Sequence, residues 1–78
     1  MKQLVLAGDR DEFEAYCERH RLDPNEALFL QSADQLRGID VVGFEFVKLP
    51  NWHRNPVTNT REFWTFLETK HPRFRDAE

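Results

Sequence analysis

LVLAGDRDEFEAYCERH, residues 4–20, changes its structural period at one glycine. Leu4-Val5-Leu6-Ala7 is a short apolar run that stops at Gly8, the pattern of a strand buried on both faces, as in parallel sheets. Asp9 follows, with Glu12 three residues on, which is the spacing of a capping box and opens a helix. Phe13, Tyr16, Cys17 and His20 then recur at i, i+3, i+4 and i+7 and give that helix one apolar face, while Glu14, Glu18 and Arg21 lie elsewhere around it. A strand that runs through a tight turn straight into a helix is the unit of α/β folds.

The same alternation continues downstream. Asp23-Pro24-Asn25 reads as a turn that stops the helix. Ala27-Leu28-Phe29-Leu30 is a second buried run. Ser32-Ala33-Asp34-Gln35 is a second capping box that opens a short helix over 33–37, with Gly38 as its C-cap. Val41–Val47 reads as a third strand, with Val42, Phe44 and Phe46 on one face and Val41, Gly43, Glu45 and Val47 on the other, a mixture that suits the edge of a sheet. Pro50 ends it, because proline cannot donate to a ladder. Asn59-Thr60-Arg61-Glu62 is a third capping box, and Phe63, Phe66 and Leu67 give the last helix its stripe before Lys70-His71-Pro72. The order is β-α-β-(short α)-β-α. It predicts an α/β fold, a minimal Rossmann-like three-layer unit with a three-stranded parallel sheet and right-handed crossovers. The buried first strand favours sheet order 2-1-3 over 3-2-1. Residues 1–72 form the single domain, and 73–78 (PRFRDAE without its proline) read as a flexible tail that Phe74 can tether.

Composition narrows the function classes. The chain has 78 residues, which is one domain, and 40% hydrophobic residues with seven Phe and two Trp, enough for a core rather than a disordered segment. A net charge of −3 is not that of a dedicated nucleic-acid binder. Its distribution is uneven: residues 1–45 hold five Lys/Arg against ten Asp/Glu, or −5, and residues 46–78 hold six against four, or +2. Such a dipolar surface steers a partner or pairs subunits head to tail. One cysteine excludes an intramolecular disulfide and fits a reducing, cytoplasmic setting. No apolar run is long enough to span a membrane, and MKQLVLAGDRDE lacks the length and cleavage site of a signal peptide.

Motifs for bound groups are missing. Gly8-Asp9-Arg10-Asp11-Glu12 is neither a Walker A loop nor G-x-G-x-x-G, and its carboxylates repel phosphate. Cys17 and His20 are half of a zinc pattern, but they share the apolar stripe of the first helix and read as packing. No cofactor and no metal are therefore expected. Asp9, His53 and Arg54 would be the acid, base and clamp of a small phosphoesterase, a reading that rests on fold geometry alone.

In open parallel sheets ligands bind beyond the carboxyl ends of the strands. KLPNWHRNPVTN, residues 48–59, projects from that edge after the third strand. Trp52 there is either a lid over the sheet end or a contact residue, since Trp and Arg dominate interface energetics. Phe63, Phe66 and Leu67 take the inward face of the last helix, so Trp64 is left to point outward. The candidate partner-binding surface is thus Trp52, His53, Arg54 and Trp64, with Arg10 at the same edge. The alternative is nucleic-acid or nucleotide binding through the basic C-terminal third: Lys48, Arg54, Arg61, Lys70, Arg73 and Arg75.

Across nearly its whole length the chain resembles small α/β accessory proteins of actinobacterial phages. The resemblance is carried by Leu4-Val5-Leu6-Ala7-Gly8, by Ser32-Ala33-Asp34-Gln35-Leu36-Arg37-Gly38, by Val41-Val42, and by Trp52, Arg54 and Pro56 in the loop. The Leu-Arg-Gly element is also similar to the segment before Walker B in phage packaging ATPases. Those have Asp-Glu at the strand end, where this chain has Phe46-Val47-Lys48. Those small proteins are mostly of unknown function, so the resemblance implies origin and fold more than activity. Together with the absent catalytic motifs it leads to the expectation of a non-enzymatic protein in the cytoplasm of an infected host that binds a host or phage protein, or itself.

Overall fold

The computed structural model describes residues 2–23 and 25–77. Pro24 in the expected turn and Glu78 in the expected tail lie outside the described residues. Strand β1 (Lys2–Leu6) leads through Gly8 to helix α1 (Arg10–Arg19), then to β2 (Ala27–Phe29). A 3-10 helix over Ala33–Gly38 and a 3-10 turn over Val41–Gly43 precede β3 (Phe44–Lys48). Two more 3-10 turns, Trp52–Arg54 and Pro56–Asn59, precede helix α2 (Arg61–Lys70), and β4 (Phe74–Asp76) closes the chain. The domain is α/β, and all its strands are parallel in the order β2-β1-β3-β4.

The first strand is interior, and its sequence explains why. Leu4, Val5 and Leu6 are buried, and they alternate between two apolar clusters. Leu4 and Leu6 pack with Leu30, Leu36, Phe46, Val57, Phe63 and Phe66 on the α2 side. Val5 packs with Tyr16, Ala27, Phe29, Val47 and Leu49 on the α1 side. A strand covered on both faces must be apolar at every position, so its run lacks the alternation of a half-exposed strand.

The N-caps start each helix where the sequence places it, with one shift. The expected short α-helix over 33–37 is a 3-10 helix that runs through Gly38, so that Ile39 and not Gly38 is its C-cap. Asp9 Oδ1 accepts from the Glu12 N–H at 2.8 Å. Gln35 Oε1 accepts from the Ser32 N–H at 3.0 Å, the returning half of the second box. In the third, the N-cap is Thr60 rather than Asn59, and its Oγ1 accepts from the Phe63 N–H at 3.3 Å. Helix α2 stops at His71, whose φ of 51° is left-handed and closes the last turn.

The sheet has four strands, not three, and residues 74–76 of the expected tail form the fourth. Phe74, Arg75 and Asp76 lie opposite Phe46, Val47 and Lys48. Phe74 meets Phe46 edge-on at 5.3 Å between ring centres, Lys48 lies 3.4 Å from Asp76, and Arg75 reaches Glu45 at 2.8 Å. These residues show no period of their own because their partners on β3 decide what each faces. It follows that β3 is not an edge strand. It is also shorter than expected: Val41–Gly43 is a 3-10 turn capped by Asp40 and leaves Val42 82% exposed.

Candidate functional site

At the carboxyl edge the chain folds its own groups into the crevice between β1 and β3. Glu12 reaches past its helix. Its Oε1 accepts from the Gly8 N–H at 2.7 Å, and its Oε2 accepts from both the Asn51 N–H and the Asn51 side-chain amide at 3.1 Å. The Glu12 carboxylate thus takes one backbone N–H from the loop before α1 and one from the loop after β3, donors that a ligand at this edge would otherwise meet. Gly8 makes this possible by contact rather than by an unusual φ: a Cβ there would land on the Asn51 carbonyl oxygen.

Beside it, Asn55 is buried to 1% exposure. Its Nδ2 donates to the Ala7 carbonyl at 2.8 Å and to the Leu30 carbonyl at 2.5 Å, and its Oδ1 accepts from the Val57 N–H at 2.9 Å. It therefore joins the ends of the first two strands to the segment that starts α2. Neither role is legible locally. Glu12 reads as the far half of a capping box, and Asn55 reads as the Asn of an Asn-Pro turn. The latter signal marks the turn but not the carbonyls that the amide meets.

The aromatic candidates follow in the chain, in the segment from Trp52 to Trp64. Trp52 is half-buried against the α2-side core, with the His53 ring at 3.8 Å and Lys48 Nζ at 5.1 Å from its own ring. One part of it covers the core, as the lid reading expects, and the other is open to solvent. His53 and Arg54 are exposed. Trp64 is 47% exposed, and its Nε1 donates to the Thr58 carbonyl at 2.7 Å, which fixes the indole on the outside of α2. The Thr58 hydroxyl donates to the Asn55 carbonyl at 2.8 Å, with the His53 carbonyl as a second acceptor at 3.4 Å. Thr58 thus links the Trp52–Arg54 turn to Trp64. Arg10 is placed apart, over the Phe29 ring at 5.6 Å, in a cleft with Phe13 and Cys17 under α1.

The basic residues of the C-terminal third are divided among several places. Lys48 and Arg75 are engaged by Asp76 and Glu45. Arg61 and Lys70 line a cleft on α2, and Arg73 lines another with His71 and Phe44. Asp9 and His53 have separate engagements, the first as a helix cap and the second tilted against the Trp52 ring.

On the α1 face, the Tyr16 hydroxyl donates to Gln3 Oε1 at 2.6 Å. Burial raises the pKa of this phenol, and the charge of Arg75 opposes the shift. Burial also raises the thiol of Cys17, with a smaller push from Glu14, so this cysteine is a poor nucleophile. No helix among the described residues is long and apolar enough to cross a membrane. No protein-family model matches the sequence, and comparison with curated proteins and with solved structures returns no significant match.

Proposed function

We propose that the chain is a non-enzymatic, phage-type accessory protein built on a minimal Rossmann-like unit, and that it acts in the host cytoplasm by binding another protein. The contact surface is Trp52, His53, Arg54 and Trp64. Arg10, which lies apart over the Phe29 ring, is outside this surface. One observation carries this reading: an indole held by its own hydrogen bond stands half in water on the outside of α2, linked through Thr58 to the Trp52–Arg54 turn. An exposed Trp with a fixed rotamer loses little entropy on docking and buries a large area, which is the profile of an interface hot spot.

The test is affinity capture of a partner from host lysate by the wild type and by Trp52→Ala combined with Trp64→Ala. The double variant keeps a native circular dichroism spectrum and loses the partner. Capture at the wild-type level by a folded double variant sinks the proposal.

A further inference from the structure

Helix α2 carries a second feature on the flank away from Trp64. The 3-10 helix Ala33–Gly38 runs beside α2, and between them lies a cleft of about 320 Å³. Its floor is apolar, made by Leu36 and Phe66, each 8% exposed. The sequence of α2 gives the cleft its shape. Thr65 and Thr69 follow Arg61 at i+4 and i+8, so two short side chains form a low row along one helix face. Arg61 stands at the start of the helix and Lys70 at its end, nine residues and therefore about 13 Å apart along the axis. Arg37 adds a third cation on the opposite wall. Its contact with Asp34 is 3.6 Å between two largely exposed side chains and is easily given up. Arg61 and Lys70 have no ion pair among the described residues. Glu62 is the one acid in the lining.

An apolar trough with cations at both ends selects its occupant by chemistry. The cleft is open along its length, so a small ligand would stay largely in water, whereas ligand sites enclose most of theirs. Single-stranded nucleic acid stacks its bases on exposed aromatic faces, and Phe66 is buried. A second copy offers the acids of α1, but Asp11, Glu14 and Glu18 have only Ala15 among them on the exposed side, with no large apolar side chain to fill the trough. We propose that this cleft receives an acidic amphipathic helix of a partner protein, its apolar side chains over Leu36 and Phe66 and its carboxylates, about two and a half turns apart, on Arg61 and Lys70. This is helix-in-groove recognition, and it is independent of the Trp surface.

The probe is a fluorescein-labelled synthetic peptide with a helical leucine stripe and glutamates at both ends, read by anisotropy against the full chain. Arg61→Glu with Lys70→Glu weakens binding about tenfold or more and removes most of its salt dependence. Thr65→Arg fills the trough and weakens binding although it adds a positive charge. Both sites are exposed, and Arg61→Glu places an acid in the first turn of a helix, so folding is retained. Trp64→Ala leaves the affinity unchanged. The proposal is overturned if the folded variants bind as the wild type does. It is equally overturned if a peptide of the same composition without the stripe, or a single-stranded DNA, binds as tightly. A dimer in light scattering that Thr65→Arg dissolves would identify a second copy as the occupant and overturn it as well.

Discussion

Replacing Asn55 by alanine tests the central joint of this fold. The side chain makes three hydrogen bonds, two as donor to the ends of different strands and one as acceptor from the turn before α2. Alanine leaves the Ala7 and Leu30 carbonyls and the Val57 N–H without that partner in a site where Asn55 itself is 1% exposed. A buried polar group left unpaired costs about 1–3 kcal/mol. With water entering the space of the lost amide, the sum is about 3–5 kcal/mol. A 78-residue domain has roughly 4–12 kcal/mol in all, so Asn55→Ala should lose a large share of its stability. Asn55→Asp sharpens the test. The carboxylate keeps the bond from Val57 but faces two carbonyl oxygens without a proton to offer. Its acid form supplies one donor, so the folded pKa of this Asp lies above the unfolded value of about 3.9. The acid's contribution is then present below that value and is lost as pH rises through the folded pKa. Urea denaturation followed by circular dichroism should therefore show a smaller deficit for Asn55→Asp near about pH 4 than near about pH 7. A cost under about 0.5 kcal/mol for Asn55→Ala, or an equal deficit for Asn55→Asp at both pH values, refutes the role assigned here.

Other consequences can be measured with the same stability assay or by simple titration. Gly8→Ala drives a Cβ into the Asn51 backbone and should cost about 1–3 kcal/mol; a stability equal to wild type would mean that the loop has room to move. Phe74→Ala removes the edge-on contact with Phe46 and should cost about 1–2 kcal/mol, less than a full core truncation because Phe74 is half-buried; no change would return residues 74–76 to a loose tail. Tyr16 is the only tyrosine, so its phenolate absorbance reports one site. Its folded pKa is raised by burial, so its contribution to stability is intact below the unfolded pKa of about 10 and fades as pH climbs through the folded one; an ordinary titration in a protein that keeps its native spectrum contradicts this. Cys17, raised by burial, should react with a thiol reagent more slowly than an unfolded control at mildly alkaline pH, and equal rates would place it in open solvent.

Much of the fold is local and can be read from the chain. A buried strand needs consecutive apolar residues, a helix start needs a short acceptor to take its free amides, and Leu4–Ala7 and Asp9–Glu12 state both. Ser32–Gln35 likewise announces a short helix, though not its 3-10 form or its extension through Gly38, and Phe63, Phe66 and Leu67 announce the apolar stripe of α2. The tertiary structure decided the matters in which a residue answers to one far along the chain. Phe74–Asp76 became a strand because Phe46, Glu45 and Lys48 wait on β3, and no period in three residues can announce partners 28 positions away. Glu12 caps locally by its sequence, but only the approach of Asn51, 39 residues on, turns it into the plug of the crevice. Asn55 reads as a turn residue until two strand ends meet at its amide. Hydrophobic spacing records which face is buried. It carries no record of which polar groups the closed chain brings together, because hydrogen bonds are set by distance in space and not by separation in sequence.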